Sequence, residues 1–163
     1  MKISRVLING ILIYIGIAII FVIMEALGLS DEIYLRLLNF IPVIWGINRT
    51  IKSNYGDHMY GYFANLISGI FTGIVSLFLT IASFVAYVEM QGKETYLKRY
   101  AESYIFGGGD PTVYEFAFGL VLEGLAATVI VSFALMQYWK DKVEKINKVD
   151  DRNHVASTEN NNY

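Results

Sequence analysis

Charged positions are missing from two long stretches of the chain, 30 consecutive residues at 59–88 and 19 at 6–24. A third stretch, 116–139, is 24 residues long and interrupted only by Glu123. A hydrocarbon core about 30 Å thick calls for about 20 apolar residues in a helix, so each stretch is long enough to cross a bilayer. A fourth, 33–51, is less regular. It holds Arg36 near its start and Pro42 in its middle, and 12 uncharged residues separate Arg36 from Arg49.

Basic residues decide whether that fourth stretch crosses, because cytoplasmic loops carry the excess of Lys and Arg. If it crosses, Lys2, Arg5, Arg49, Lys52, Lys140, Lys142, Lys145, Lys148 and Arg152 face inward, against Arg36, Lys93, Lys98 and Arg99, nine to four. If it stays on one side, the balance becomes five inside against eight outside. The pattern therefore predicts an all-α integral membrane four-helix bundle. Its spans lie at 4–27, 33–51, 59–88 and 112–138, within a domain over 1–140. Both termini are then expected on the cytoplasmic side of an inner membrane.

The start of the chain also resembles a secretory signal, with Lys2 and Arg5 ahead of an apolar stretch. That stretch is longer than a usual signal core, and Glu25-Ala26-Leu27-Gly28 lacks a small residue three before a plausible cut. An uncleaved first span is the expectation.

Local signals mark the helix ends. Thr112 and Glu115 form a capping-box pair behind Asp110 and Pro111. Gly28, Ser30 and Asp31 make a short turn that forces spans one and two to be antiparallel neighbours. Tyr34, Tyr60, Tyr62, Tyr87, Tyr114, Tyr138 and Trp139 fall near the expected interfaces, where amphipathic rings settle. Between spans three and four, Tyr96, Leu97, Tyr100, Ala101, Tyr104 and Ile105 recur at helical spacing opposite a charged face. They predict an outer interfacial amphipathic helix over 93–106, with a partner-docking or lid helix as the alternative. The segment 141–163 reads as a cytoplasmic tail that first continues helix four with alternating charge and is disordered beyond about Val149.

Composition adds little to this picture. Hydrophobic residues make up 55% of the chain and charged ones 17%, with mean hydropathy +0.43, which suits one membrane domain and leaves no segment long enough for a soluble core. The absence of Cys removes disulfides, thiolate metal sites and cysteine nucleophiles.

Candidate chemistry centres on Glu123. It lies eight residues past Glu115, about 12 Å deeper along the helix, where an ionised carboxyl must be protonated, paired or hydrated. Small neighbours at Gly119, Ala126 and Ala127 predict that it points into the bundle. Arg36 and Asn39 of span two enter from the same outer side, and Thr80 and Ser83 of span three lie at similar depth. The polar cluster Glu123, Arg36, Asn39 and Thr80 is either a protonatable path or a structural clasp. Asn65, Gly69, Gly73, Ser76, Thr80 and Ser83 form a small-residue stripe on span three, and Gly69 and Gly73 fit the GxxxG pattern. With Gly119 they are candidate packing positions, between copies or within one bundle. The third span, longer than the bilayer requires, must tilt or project. Pro42 should kink span two. His58 and His154 are isolated, so no metal site is expected.

Ile41-Pro42-Val43-Ile44-Trp45-Gly46-Ile47-Asn48-Arg49, a polar turn with Gly56, a long glycine-bearing third span and a Pro-led fourth together resemble an uncharacterised family of small four-helix membrane proteins. That family, found largely in Bacteroidota, is defined as a domain of unknown function, and the resemblance covers most of residues 5–140. It implies four spans and no reaction. With no catalytic set in the sequence, the expectation is a non-enzymatic binding, assembly or accessory subunit without a cofactor. Its expected partners are the lipid bilayer and a second copy or a larger membrane complex, with no nucleic acid. The alternative is a small transporter or channel using Glu123.

Overall fold

The structure, a computed structural model, describes residues 2–29, 32–59, 61–90, 97 and 112–159. Four α-helices account for nearly all of them: α1 (Ile3–Ala26), α2 (Phe40–Gly56), α3 (Tyr62–Met90) and α4 (Val113–Glu159), with a 3-10 helix at Ile33–Asn39 leading into α2. The chain folds as an all-α membrane bundle. α1, α3 and the Val113–Lys142 part of α4 are each long and apolar enough to cross a bilayer.

The segment expected to make the remaining crossing is a composite of a 3-10 helix and α2, which corrects the expectation of one continuous helix over 33–51. α2 has 17 residues, about 26 Å at 1.5 Å per residue, short of the roughly 30 Å core. The seven-residue 3-10 helix, rising about 2 Å per residue, brings the segment to about 40 Å. Pro42 sits in the first turn of α2, where a missing N–H costs little, so it marks the switch from 3-10 to α instead of kinking a helix interior.

Facing residues fix the helix directions. Along the α1–α2 seam, Arg5 meets Asn54, Asn9 meets Thr50, Ile13 meets Gly46 and Gly16 meets Pro42, an antiparallel register. Along α3–α4, Gly69 meets Ser132, Gly73 meets Thr128, Leu77 meets Gly124 and Phe84 meets Phe116, again antiparallel. α1 and α3 run parallel, joined by Gly10 against Val75, the Tyr14 and Ser83 hydroxyls at 2.8 Å, and Phe21 edge-on to Phe84 and Tyr87. α2 and α3 form the middle of the bundle, with α1 and α4 on either side. The result is an up-down-up-down bundle. The start of α1, the α2–α3 turn and the Trp139 region of α4 lie at one end.

Glycine sits on about half of these rungs, at Gly10, Gly16, Gly46, Gly69, Gly73 and Gly124, because a side chain there would enter its neighbour. A Cβ on Gly73 would overlap the Thr128 side chain, and one on Gly10 would lie 2.6 Å from Val75 Cγ1. Two apolar clusters fill the remaining interior. One gathers Ile13, Ile47, Ile51, Leu66, Val131, Met136 and Trp139; the other, toward the opposite end, gathers Val88, Leu97, Val113 and Phe116. Large apolar side chains also cover the outside, among them Phe63, Phe78, Phe118 and Ile130, as a lipid-facing surface requires.

Helix ends follow backbone chemistry. The capping box forms as expected: Thr112 N and Oγ1 donate to Glu115 Oε2 at 2.8 and 2.9 Å, and Glu115 N donates to Thr112 Oγ1 at 3.3 Å. α1 closes on Gly28 (φ +67°), with Leu29 N bonded to Met24 O at 2.9 Å. α2 closes the same way on His58 (φ +57°), a position that ordinarily takes glycine, with Met59 N bonded to Asn54 O at 2.9 Å.

The tail was expected to lose structure beyond Val149, yet α4 continues to Glu159. No Gly or Pro follows Gly124, and opposite charges four apart, such as Asp141 and Lys145, favour helix propagation. The interfacial helix over 93–106 lies outside the described residues except for Leu97, which is buried beside Val88.

Candidate functional site

Every buried polar residue among those described is an amide or a hydroxyl: Asn9, Thr50, Asn54, Asn65, Ser68, Thr72, Ser76, Thr128 and Ser132. Four of them, Asn9, Thr50, Thr72 and Ser68, form a ladder across α1, α2 and α3. Asn9 Nδ2 donates to Thr50 Oγ1 at 2.8 Å, and Thr50 Oγ1 lies 3.1 Å from Thr72 Oγ1 and 3.2 Å from Gly46 O. Thr72 Oγ1 donates to Ser68 O at 2.8 Å, and Ser68 Oγ to Ala64 O at 2.7 Å. The two threonine protons thus serve three acceptors, so one is shared. An apolar medium leaves such groups no water to fall back on, and satisfying them across α1, α2 and α3 ties those helices in one register. None of these groups takes up a charge near neutral pH.

Of the anticipated cluster, Arg36, Asn39 and Thr80 each carry a buried side-chain nitrogen or oxygen atom. Glu123 is exposed on α4, where Gly124 and Thr128 face the neighbouring helix instead. Arg36 and Asn39 belong to the 3-10 helix, which packs on α1 and α2. Thr80 Oγ1 is buried without a hydrogen-bond partner among the described residues, and Ser83 pairs with Tyr14. Small residues occupy several faces of α4, so Gly119, Ala126 and Ala127 carried no information about which face turns inward. Gly69 and Gly73 are spent within the bundle, against Ile47, Ser132 and Thr128, while Gly119 is half-buried.

The remaining polar chemistry collects at the end that holds the α2–α3 turn. Arg5 Nη1 donates to Asn54 Oδ1 at 2.9 Å, and its Nη2 pairs with Asp57. Lys2 Nζ reaches the same Asp57 oxygen at 2.7 Å. Hydrogen bonds from Lys2 and then Arg5 hold the Asp57 carboxyl at about 2, below its ordinary 3.8. Trp139 Nε1 donates to Asn48 Oδ1 at 2.9 Å, and Lys142 Nζ stands 4.4 Å above the Trp139 ring. Between the start of α1 and α2 a pocket of about 270 Å³ opens, lined by Lys2, Arg5 and Arg49 with Ser4, Ser53, Asn9 and Ile8. The Arg49 guanidinium lies 5.4 Å from the Trp45 ring.

The sequence reading did not single out Asn9, Thr50, Asn54, Asp57 or the Asn48–Trp139 pair. Asn9 alone had a usable signal, as a lone amide inside an uncharged apolar run, which is costly in a membrane unless paired. No group of three or more His, Cys, Asp or Glu side chains able to hold a metal ion occurs among the described residues. No protein-family model matches the chain, and searches of curated proteins and of solved structures return no match.

Proposed function

We propose that this chain is a multi-pass inner-membrane protein that acts by binding and assembly, as an accessory subunit of a membrane complex. The observation that carries this reading is the chemistry of the interior: among the described residues, the polar side chains buried as whole residues are all amides and hydroxyls, mostly bonded to one another or to backbone carbonyls. Such an interior holds helices together and offers no titratable step for moving a proton or ion. With Gly69 and Gly73 consumed inside the bundle, assembly falls to the outer apolar surface, where Phe63, Ile67, Phe71 and Phe78 follow one face of α3. The end bearing Lys2, Arg5, Arg49, Lys52, Lys140 and Lys142 faces the cytoplasm by the positive-inside rule.

Native mass spectrometry of the full chain, extracted with its surrounding lipid, tests the proposal. The expected result is a mass above one chain, either a multiple or a defined complex, that Phe71→Ala or Phe78→Ala reduces. A single-chain mass in both wild type and variants contradicts it.

A further inference from the structure

The pocket at the basic end has the composition of a phosphate site. Three cations line it, Lys2, Arg5 and Arg49, and no carboxylate does. The nearest carboxylate, Asp57, engages Lys2 and Arg5 and offsets one of the three charges. Arg49 makes no ion pair among the described residues, and its guanidinium is stacked beside Trp45 with donors left over. The hydroxyls of Ser4 and Ser53 add neutral donors on the same lining. A guanidinium fork with hydroxyls around it suits the oxygens of a phosphate ester.

The surroundings say which kind of phosphate. Ile8 is part of the lining and 55% exposed, and farther from this end come Ile15 on α1 and Trp45 on α2, both exposed and apolar. Exposed apolar side chains of α1 and α2 thus continue from the charged pocket toward the bilayer centre. Basic pockets between membrane helices at that depth accept anionic headgroups while the acyl chains lie along the helices. We infer that this pocket binds the phosphate headgroup of an anionic phospholipid, with Arg49 as the main phosphate contact and the apolar α1–α2 surface holding an acyl chain. The inference rests on the bundle geometry and stands apart from the assembly proposal.

The test uses the purified full chain in non-ionic detergent, titrated separately with phosphatidylglycerol, phosphatidylcholine and inorganic phosphate, with bound lipid read by native mass spectrometry and thermal shift. The expected result is that phosphatidylglycerol binds at least tenfold more tightly than phosphatidylcholine or inorganic phosphate. Arg49→Gln should lower that affinity about tenfold, and Lys140→Gln, a cation at the same end but off the pocket, less than twofold. If R49Q fails to fold, Arg49→Lys keeps the charge, loses the fork and should still cost at least threefold. Equal binding of the two lipids, or equal losses in R49Q and K140Q, overturns the site. Inorganic phosphate matching phosphatidylglycerol overturns the lipid assignment in favour of a soluble phosphate compound.

Discussion

Two antiparallel seams of the bundle, α1–α2 and α3–α4, reach the same geometry with different contacts. Along α1–α2, side chains bond across one half of the seam, Arg5 to Asn54 and Asn9 to Thr50, before Gly46 and Gly16 receive Ile13 and Pro42. Along α3–α4 the described residues show shape instead, with Gly69, Gly73 and Gly124 receiving Ser132, Thr128 and Leu77. Neither seam draws on a hydrophobic driving force, since lipid is as apolar as the helix surface. One is held in part by polar groups that have no better partner in hydrocarbon; the other by the dispersion contacts that close approach allows. The glycine seam should therefore be the less forgiving, because added volume has nowhere to go, whereas a lost hydrogen bond in a membrane costs little.

Substitutions that fill the glycine seam should have the largest effect. Gly73→Leu drives a side chain into Thr128 and is expected to destabilise by about 3 kcal/mol, read as a loss of thermal stability in detergent. Gly73→Ala should cost about 1–2 kcal/mol, and adding Thr128→Ala should restore at least half of that. An additive double variant would mean that the two residues do not meet.

The polar seam should yield smaller numbers. Thr50→Val keeps the volume and removes the hydroxyl from Asn9, Thr72 and Gly46 O, at an expected cost of about 1 kcal/mol. Asn9→Leu should cost about 1 kcal/mol, and the pair together less than the two separately, as a double-mutant cycle would reveal. At the basic end, Trp139→Phe keeps the ring and loses the bond to Asn48, for about 1 kcal/mol.

The smallest effect belongs to Asp57. Its folded-state value lies below 3.8, so its stabilisation is fully present above that value and disappears as pH falls through about 2. Asp57 is exposed, and Asp57→Asn should change stability at neutral pH only slightly while flattening the acid limb of a melting profile between about pH 4 and 2. An unchanged acid limb would remove Asp57 from the account.

Length and charge made the spans readable, since a bilayer imposes both on any helix that crosses it. The antiparallel register of α1 and α2 agrees with a second segment that runs back toward the start of α1, although Arg36 and Pro42 obscure its helix and a 3-10 turn supplies part of its length. What the sequence withheld was rotation. A lipid-facing helix is apolar on both sides, so the pattern that reveals the inner face of a soluble helix is faint here. Glu123 was consequently turned the wrong way, and Gly10, Gly16, Gly46 and Gly124 gave no sign of being rungs while Gly69 and Gly73 did. The Asn9–Thr50–Thr72 ladder joins residues 22 to 63 positions apart, a proximity that no local pattern encodes.

Asn54 and Asp57 meet Arg5 at the end where α1 begins, so the segment from Glu32 to Gly56 should cross the bilayer, and labelling from each side tests this most directly. The natural chain has no Cys, so single cysteines placed at the exposed positions Glu32 and Lys52 report their side without background. A membrane-impermeant maleimide applied to intact cells should label Glu32→Cys at once and Lys52→Cys only after permeabilisation. Labelling of both from the same side would mean that the second segment does not cross, and the account would fail.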